Sequence, residues 1–323
     1  MTNDTTFCFL CALRRVGAAA LSAFAMLALP LAAQAQVLAM PDSINNRLVL
    51  FSGFDGTVLN SNYFALAGGT PVHAIGVGNE IWVSEQLGDR VSRWSLTGTP
   101  LGQIGGAVPG GGLDNVRGMG LIGNTVYVTN AGTANGAPGA AVVMFDTVGA
   151  PMGSFTTAST APSPFGVLAH QGGMLVSSSS ANDDIHRFSL AGGALGTFYN
   201  TASLNFAEQM VVATNGDILV AGFSSNNIVR LDASTGALLG SFTASGARGV
   251  AQLGNGNIMW TSGAGAFIHD VGLGTSALVY AGGGRYLETI TAIPEPGIWA
   301  LWMAGLAGLS GFSAWQRRRA PRG

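Results

Sequence analysis

The chain has 323 residues, of which 49 are glycine and only 9 % are charged, and every one of its 14 basic residues is arginine. That length suits one large all-β domain or two smaller ones, and glycine at about twice its ordinary share without a collagen period points to many turns that need positive φ. Residues 36–293 hold 8 Arg against 14 Asp and Glu, an acidic body with no basic stripe for nucleic acid.

At the N-terminus, Arg14 and Arg15 close a short polar stretch, an apolar run follows from Val16 to Ala33, and Ala33-Gln34-Ala35 supplies the small-x-small pattern read by signal peptidase. The expectation is a secretory signal peptide over 1–35, cut after Ala35. Val16-Gly17-Ala18 lacks the fuller twin-arginine pattern, which favours Sec export, and no cysteine follows the apolar run to be lipidated. Cys8 and Cys11 both fall inside this leader, so the mature protein is expected to contain no disulfide.

From residue 36 the sequence repeats. One unit reads Ile81-Trp82-Val83-Ser84, then Arg90-Val91-Ser92-Arg93-Trp94, a turn at Gly98, and Leu101-Gly102-Gln103-Ile104. The same order recurs from Met174 and from Ile218, with variants from Val37, Val126 and Ile258. The starts are 44, 45, 48, 44 and 40 residues apart. Short apolar runs broken by Gly and Asn turns read as strands joined by hairpins, and four strands in about 40 to 45 residues make one propeller blade. An extra run precedes each unit except the first, and the chain carries a spare at its far end, Tyr286 to Thr291. This spare is expected to become the innermost strand of the first blade, so that no sheet edge is left open at the join. The fold expected over 36–292 is therefore an all-β, six-bladed propeller, with five or seven blades as alternatives because the last unit is degenerate. The units are similar to NHL-type and gluconolactonase-type propellers, a resemblance that speaks to fold and leaves activity open.

Aligning the innermost strands places one residue per blade at the head of the axial channel: His73, Arg117, Phe165, Glu208, Arg248 and Glu288. Polar groups converging on a concave mouth are a ligand-site hypothesis; the bland alternative is a set of Arg–Glu pairs that neutralise one another. A lactonase-like hydrolase or lyase would hold a metal at the channel, with Glu208, Glu288, His73 and the two arginines as candidates. No Asp and Asn occupy matching ring positions, and the four histidines are scattered without metal-ligand spacing, so no metal or other cofactor is expected. His186 is expected to be exposed on an outer strand, and the repeating aromatics Trp94, Phe155, Phe188, Phe198 and Phe242 to pack between blades.

The last segment, 293–323, is an address. Pro294-Glu295-Pro296 leads into 19 uncharged residues, Gly297 to Trp315, and then Arg317, Arg318 and Arg319. A helix over that run spans about 28 Å, close to a bilayer core of about 30 Å, and the arginines are expected on the cytoplasmic side. The order resembles the PEP-CTERM sorting signal of Gram-negative bacteria. That resemblance implies transient membrane anchoring, processing by an exosortase near Pro294–Pro296, release to the cell surface or medium, and association with exopolysaccharide or envelope proteins. The sequence thus favours a non-catalytic surface-binding propeller over a channel-centred enzyme.

Overall fold

In the computed structural model, described over residues 36–105, 112–180 and 184–290, six four-stranded antiparallel sheets stand around a common axis. Blade 1 contains β1 (Val37–Asp42), β2 (Arg47–Ser52) and β3 (Val58–Ala65). Blade 2 contains β4 (Pro71–Val77), β5 (Glu80–Glu85), β6 (Arg90–Ser95) and β7 (Pro100–Gly105). Blade 3 contains β8 (Val116–Ile122), β9 (Thr125–Asn130), β10 (Ala141–Asp146) and β11 (Pro151–Thr156). Blade 4 contains β12 (Pro164–His170), β13 (Gly173–Ser178), β14 (Ile185–Ser189) and β15 (Ala194–Tyr199). Blade 5 contains β16 (Ala207–Val212), β17 (Ile218–Gly222), β18 (Asn227–Leu231) and β19 (Leu238–Thr243). Blade 6 contains β20 (Gly249–Gln252), β21 (Ile258–Ser262), β22 (Gly265–Asp270) and β23 (Thr275–Ala281).

The fourth strand of blade 1 is β24 (Glu288–Ile290), which pairs with β1 through Ala39↔Glu288, Leu38↔Thr289 and Val37↔Ile290. The blade number is six, and the clasp expected from the spare run is present, although only three of its residues pair. Thr291 lies outside the described residues, as do the leader over 1–35 and the segment 293–323 with its Pro-Glu-Pro motif, apolar run and arginines. Among the described residues no helix is long and apolar enough to cross a membrane, and the only helical piece is a 3-10 turn at Ala134–Gly136.

Apolar residues collect in the seams between blades rather than in one central core. Six clusters each join two neighbouring blades; one sets Ile75, Trp82 and Ile104 of blade 2 against Leu113, Met119 and Phe145 of blade 3. The second strand of each blade is buried on both faces, which is why it reads as a continuous apolar run rather than an alternating one.

The aromatic repeats serve these seams. Phe64 of blade 1 stacks on Trp94 of blade 2 at 5.3 Å, Phe155 of blade 3 meets Phe188 of blade 4 at 5.5 Å, and Phe242 of blade 5 lies flat on His269 of blade 6 at 3.7 Å. The hairpin turn of the next blade must pass beneath such a ring. At Gly192, with φ +86°, a Cβ would strike the Phe155 side chain, so the glycine is required both by the turn and by the ring above it. His186 is not exposed as expected: it sits on β14 at 5 % exposure, because its side of the third strand faces a seam rather than solvent.

Candidate functional site

The innermost strands do not run regularly against their neighbours. Pairing slips between Pro71 and His73, Val116 and Met119, Pro164 and Val167, and Ala207 and Met210. A bulge leaves residues outside the ladder and re-aims their side chains. In blades 3, 4 and 5 the bulged pairs are Arg117-Gly118, Phe165-Gly166 and Glu208-Gln209.

In four blades one carbonyl at the head of the inner strand is tied to the preceding blade by a hydroxyl. Ser84 donates to the Arg117 carbonyl, Thr129 to Phe165 O at 2.7 Å, Ser177 to Glu208 O at 2.6 Å, and Thr261 to Arg285 O at 2.6 Å. Blade 5 has Ala221 at the hydroxyl position, and the Arg248 carbonyl accepts from Gln209 N instead. In blade 2 the matching carbonyl is Val72 O, which accepts from Tyr286 N. By equivalent contacts the ring is therefore Val72, Arg117, Phe165, Glu208, Arg248 and Arg285. Four of the six residues expected from sequence hold their places, while His73 sits one position past the ring and Glu288 three past it. Arg285 was not anticipated. Two signals pointed to these positions: the hydroxyl repeated at the same place in four second strands, and the glycine cluster just before Arg285.

The next layer down the axis combines three glycines with three large side chains. A Cβ on Gly118, Gly166 or Gly249 would collide with the carbonyl of Phe165, Glu208 or Arg285 respectively. Those three glycines leave the axis to His73, Gln209 and Tyr286. The Gln209 amide bridges three backbone groups: its Oε1 accepts from Val250 N at 3.0 Å and Leu287 N at 2.9 Å, and its Nε2 donates to Leu287 O. His73 Nδ1 accepts from Met119 N at 3.0 Å, so Nε2 carries the proton and donates to Glu288 Oε2 at 3.2 Å. Its ring lies edge-on to Tyr286 at 5.1 Å. Beyond this layer opens a cavity of about 490 Å³ whose walls include Ile75, Met119, Val167, Met210 and Val211. Glu288 belongs to that cavity and not to the arginine ring.

The ring itself is strongly cationic. Arg117 lies over the Phe165 ring at 3.9 Å and donates through Nη1 to Ser163 Oγ at 2.8 Å and Pro164 O at 3.2 Å. Arg248 covers Phe223 at 4.7 Å, and Arg285 Nε donates to Ser43 Oγ at 2.9 Å. Burial lowers both Arg117 and Arg285 to about 10, with Arg248 adding to the effect at Arg285, and both stay charged at neutral pH. Between them stands Glu208, only 1 % exposed. Burial pushes its carboxyl up, the three arginines pull it back, and the balance rests at about 7. Burial, with Glu208 beside it, also raises the Tyr286 phenol well above its usual value.

Several buried polar atoms here have no hydrogen-bond partner among the described residues: Glu208 Oε2, Arg117 Nε, Arg248 Nε and the Tyr286 hydroxyl. Buried polar groups are nearly always satisfied by protein or ordered water, so these four atoms are open to partners from outside the chain, water or ligand. Phe165, Phe206 and Phe223 extend the ring as a continuous aromatic wall, with centroids 4.9 and 5.0 Å apart. Phe206 is held at φ +57°, and Thr70, Asn115 and Gly246 take the same left-handed conformation two residues before the ring in blades 2, 3 and 6, so this backbone belongs to the repeated turn into the inner strand.

The donor set does not suit a cation. Among the described residues no three His, Cys, Asp or Glu side chains gather as ligands, Glu208 is ringed by guanidinium groups that repel a metal, and Glu288 is engaged with His73.

No protein-family model and no curated protein matches this sequence. The fold is similar to solved structures. One is a Bacteroides caccae protein of unknown function (TM-score 0.59, 14 % identity, covering 80 % of this chain and all of that one). A second is a chain of a nidogen/laminin complex (TM-score 0.64, 11 % identity, 78 % and 97 %). A third is a streptogramin B lyase (TM-score 0.52, 14 % identity, 80 % and 89 %). At such identities the likeness is one of fold alone.

Proposed function

We propose that the chain is an exported, non-catalytic binding propeller of the cell surface or extracellular matrix, and that it takes an anionic ligand at the ring formed by Arg117, Arg248 and Arg285. One observation carries this reading: three guanidinium groups converge on a single buried carboxylate, so the mouth keeps an excess of positive charge on an otherwise acidic body. Arginine donors are suited to planar recognition of carboxylates and other oxyanions, and a charged concave site focuses ligands of opposite sign.

The export part of the reading is supported by the sequence. The leader ending at Ala35 and the ordered tail of Pro294-Glu295-Pro296, apolar run and Arg317 to Arg319 fit a protein handed to signal peptidase and then to an exosortase. Exopolysaccharide or an envelope component is then the natural source of ligand. The body's place among propellers that include a lyase keeps the hydrolase reading as the alternative, but the cation-repelling ring gives it no metal site.

The test is binding of the full chain, purified in detergent, to charged and neutral polysaccharides at low ionic strength. Retention of anionic polymers that is lost with salt and with Arg248→Gln supports the reading. Equal retention of neutral dextran, or none of either, sinks it.

A further inference from the structure

We propose that the group recognised at the arginine ring is the carboxylate of an acidic sugar, which replaces Glu208 as counter-ion to the arginines, drives a proton onto Glu208, and lays its ring against Phe206 and Phe223. This rests on the binding reading above and names its ligand and its coupling to pH.

The geometry supplies both halves. Among the described residues, Glu208 is the one carboxylate facing Arg117 from β8, Arg248 from the segment before β20, and Arg285 from the segment before β24; the other titratable neighbour there is Tyr286, with His73 packed behind it. The internal pairing is loose, since Arg248 Nη1 stands 3.9 Å from Glu208 Oε1, and Glu208 Oε2 has no hydrogen-bond partner among the described residues. A counter-ion so poorly bonded is readily displaced. Arg248 and Arg285 are both partly exposed, so an incoming anion meets them first, with Arg117 and Glu208 buried beneath. The half-buried Phe206 and Phe223 flank the same entrance, and a flat apolar wall beside an oxyanion-binding cluster suits a sugar ring bearing a carboxylate. A small inorganic anion would use the arginines and leave the wall empty.

The coupling follows from charge. A second carboxylate beside Glu208 disfavours its ionised form, and Glu208 in the free protein titrates near neutrality because burial opposes its charge. Ligand and proton therefore enter together, and by linkage each strengthens the other. Above neutrality each pH unit lowers affinity about tenfold, giving roughly a thirtyfold loss between pH 6 and pH 8.5.

Titration calorimetry on the full chain in detergent tests this, with oligogalacturonate as the carboxylated probe, dextran sulfate as the sulfated one and neutral dextran as the control. Each is run at pH 6 and 8.5 in buffers of differing ionisation enthalpy, so that protons are counted directly. The expected result is oligogalacturonate binding about thirtyfold tighter at pH 6, close to one proton taken up per site at pH 8.5, and loss of both effects in Glu208→Gln. Proton uptake is read on the wild-type chain, so the test survives a variant that does not fold. Binding of oligogalacturonate without proton uptake, or a Glu208→Gln protein that keeps the pH dependence, overturns the coupling and leaves the binding site standing. Preference for dextran sulfate overturns the carboxylate. No binding of either anion by a protein that still melts cooperatively overturns the proposal and the binding reading together.

Discussion

Arg248 and Glu208 face each other from neighbouring blades with Nη1 and Oε1 3.9 Å apart, close enough for an ion pair and too far for a hydrogen bond. Their side chains differ sharply in burial, at 23 % and 1 % exposure. Removing the arginine therefore has two effects: it deletes a ligand donor, and it leaves a buried carboxyl with less compensation. A hydrogen bond to a charged group contributes about 1.5–3 kcal/mol, so Arg248→Gln is expected to weaken binding of an anionic polysaccharide by at least about tenfold, measured by calorimetry below pH 7.

Stability of the ligand-free protein should fall as pH rises through the mildly acidic range. Glu208 holds its proton up to about pH 7 when folded but releases it near 4.5 when unfolded. The folded state then binds more protons across that window, and stability declines with pH, by on the order of 3 kcal/mol in all at about 1.4 kcal/mol per unit. Glu208→Gln should flatten the decline. Urea unfolding at pH 4.5, 6 and 7.5 is the check, and a wild-type curve that rises over this range contradicts the assignment.

At the acid end another group takes over. Burial pushes the Asp42 carboxyl up, but hydrogen bonds from Asn45, Tyr280 and Gly283 outweigh it and bring the group down to about 2. Its contribution is present above the usual carboxylate range and is lost as pH falls from about 4 towards 2. Asp42→Asn should remove that part of the acid transition, followed by circular dichroism.

Gln209 ties blades 5, 6 and 1 through three backbone hydrogen bonds. Gln209→Ala strands Leu287 N, Leu287 O and Val250 N in a buried layer, at about 1–3 kcal/mol for a stranded group. A loss of about 2–4 kcal/mol in urea unfolding is expected, with the clasp strand exchanging its amides first. A change under 1 kcal/mol would show that the clasp does not depend on this side chain.

Two glycines on the axis give a matched pair. Gly166→Ala drives a Cβ to 2.6 Å from Glu208 O, whereas nothing lies within 4 Å of a Cβ at Gly76. Overpacking costs about 1–3 kcal/mol, so Gly166→Ala should lower the midpoint of unfolding while Gly76→Ala leaves it unchanged or slightly raised.

The proposed sorting role of the C-terminal segment has its own test. Replacing Pro294, Glu295 and Pro296 with alanine should hold the protein in the inner-membrane fraction of the producing cell, with unchanged amounts. Normal release of the variant would remove the exosortase from the account.

The repeats were legible because two features survive in the bare sequence. Second strands buried on both faces read as apolar runs, and turns beneath aromatic rings demand glycine. The clasp was legible because the first unit lacks an inner strand. The ring was legible only in part. In blades 2 to 5 the ring residue is the second of its inner strand, but the apolar run of blade 2 begins at Val72, one residue after the strand starts at Pro71, and counting from that run lands on His73 instead of Val72. In blade 1 the ring residue precedes the pairing strand altogether, inside the irregular stretch from Gly282 to Leu287, which hides Arg285. The burial of His186 and the pairing of Glu288 with His73 depend on which blade lies alongside, and no local pattern records that.

The clasp also sets an order of events. A ribosome delivers β1 first and β24 last, so through almost the whole of synthesis the first blade waits with its inner edge bare while the others have their full complement of strands. Contacts so distant in sequence form slowly, and a bare edge invites pairing with another chain. The inner edge of Val37–Asp42 closes only when Glu288–Ile290 arrives. A permuted chain that begins at Gly282, carrying its closing strand ahead of β1, would have no such wait.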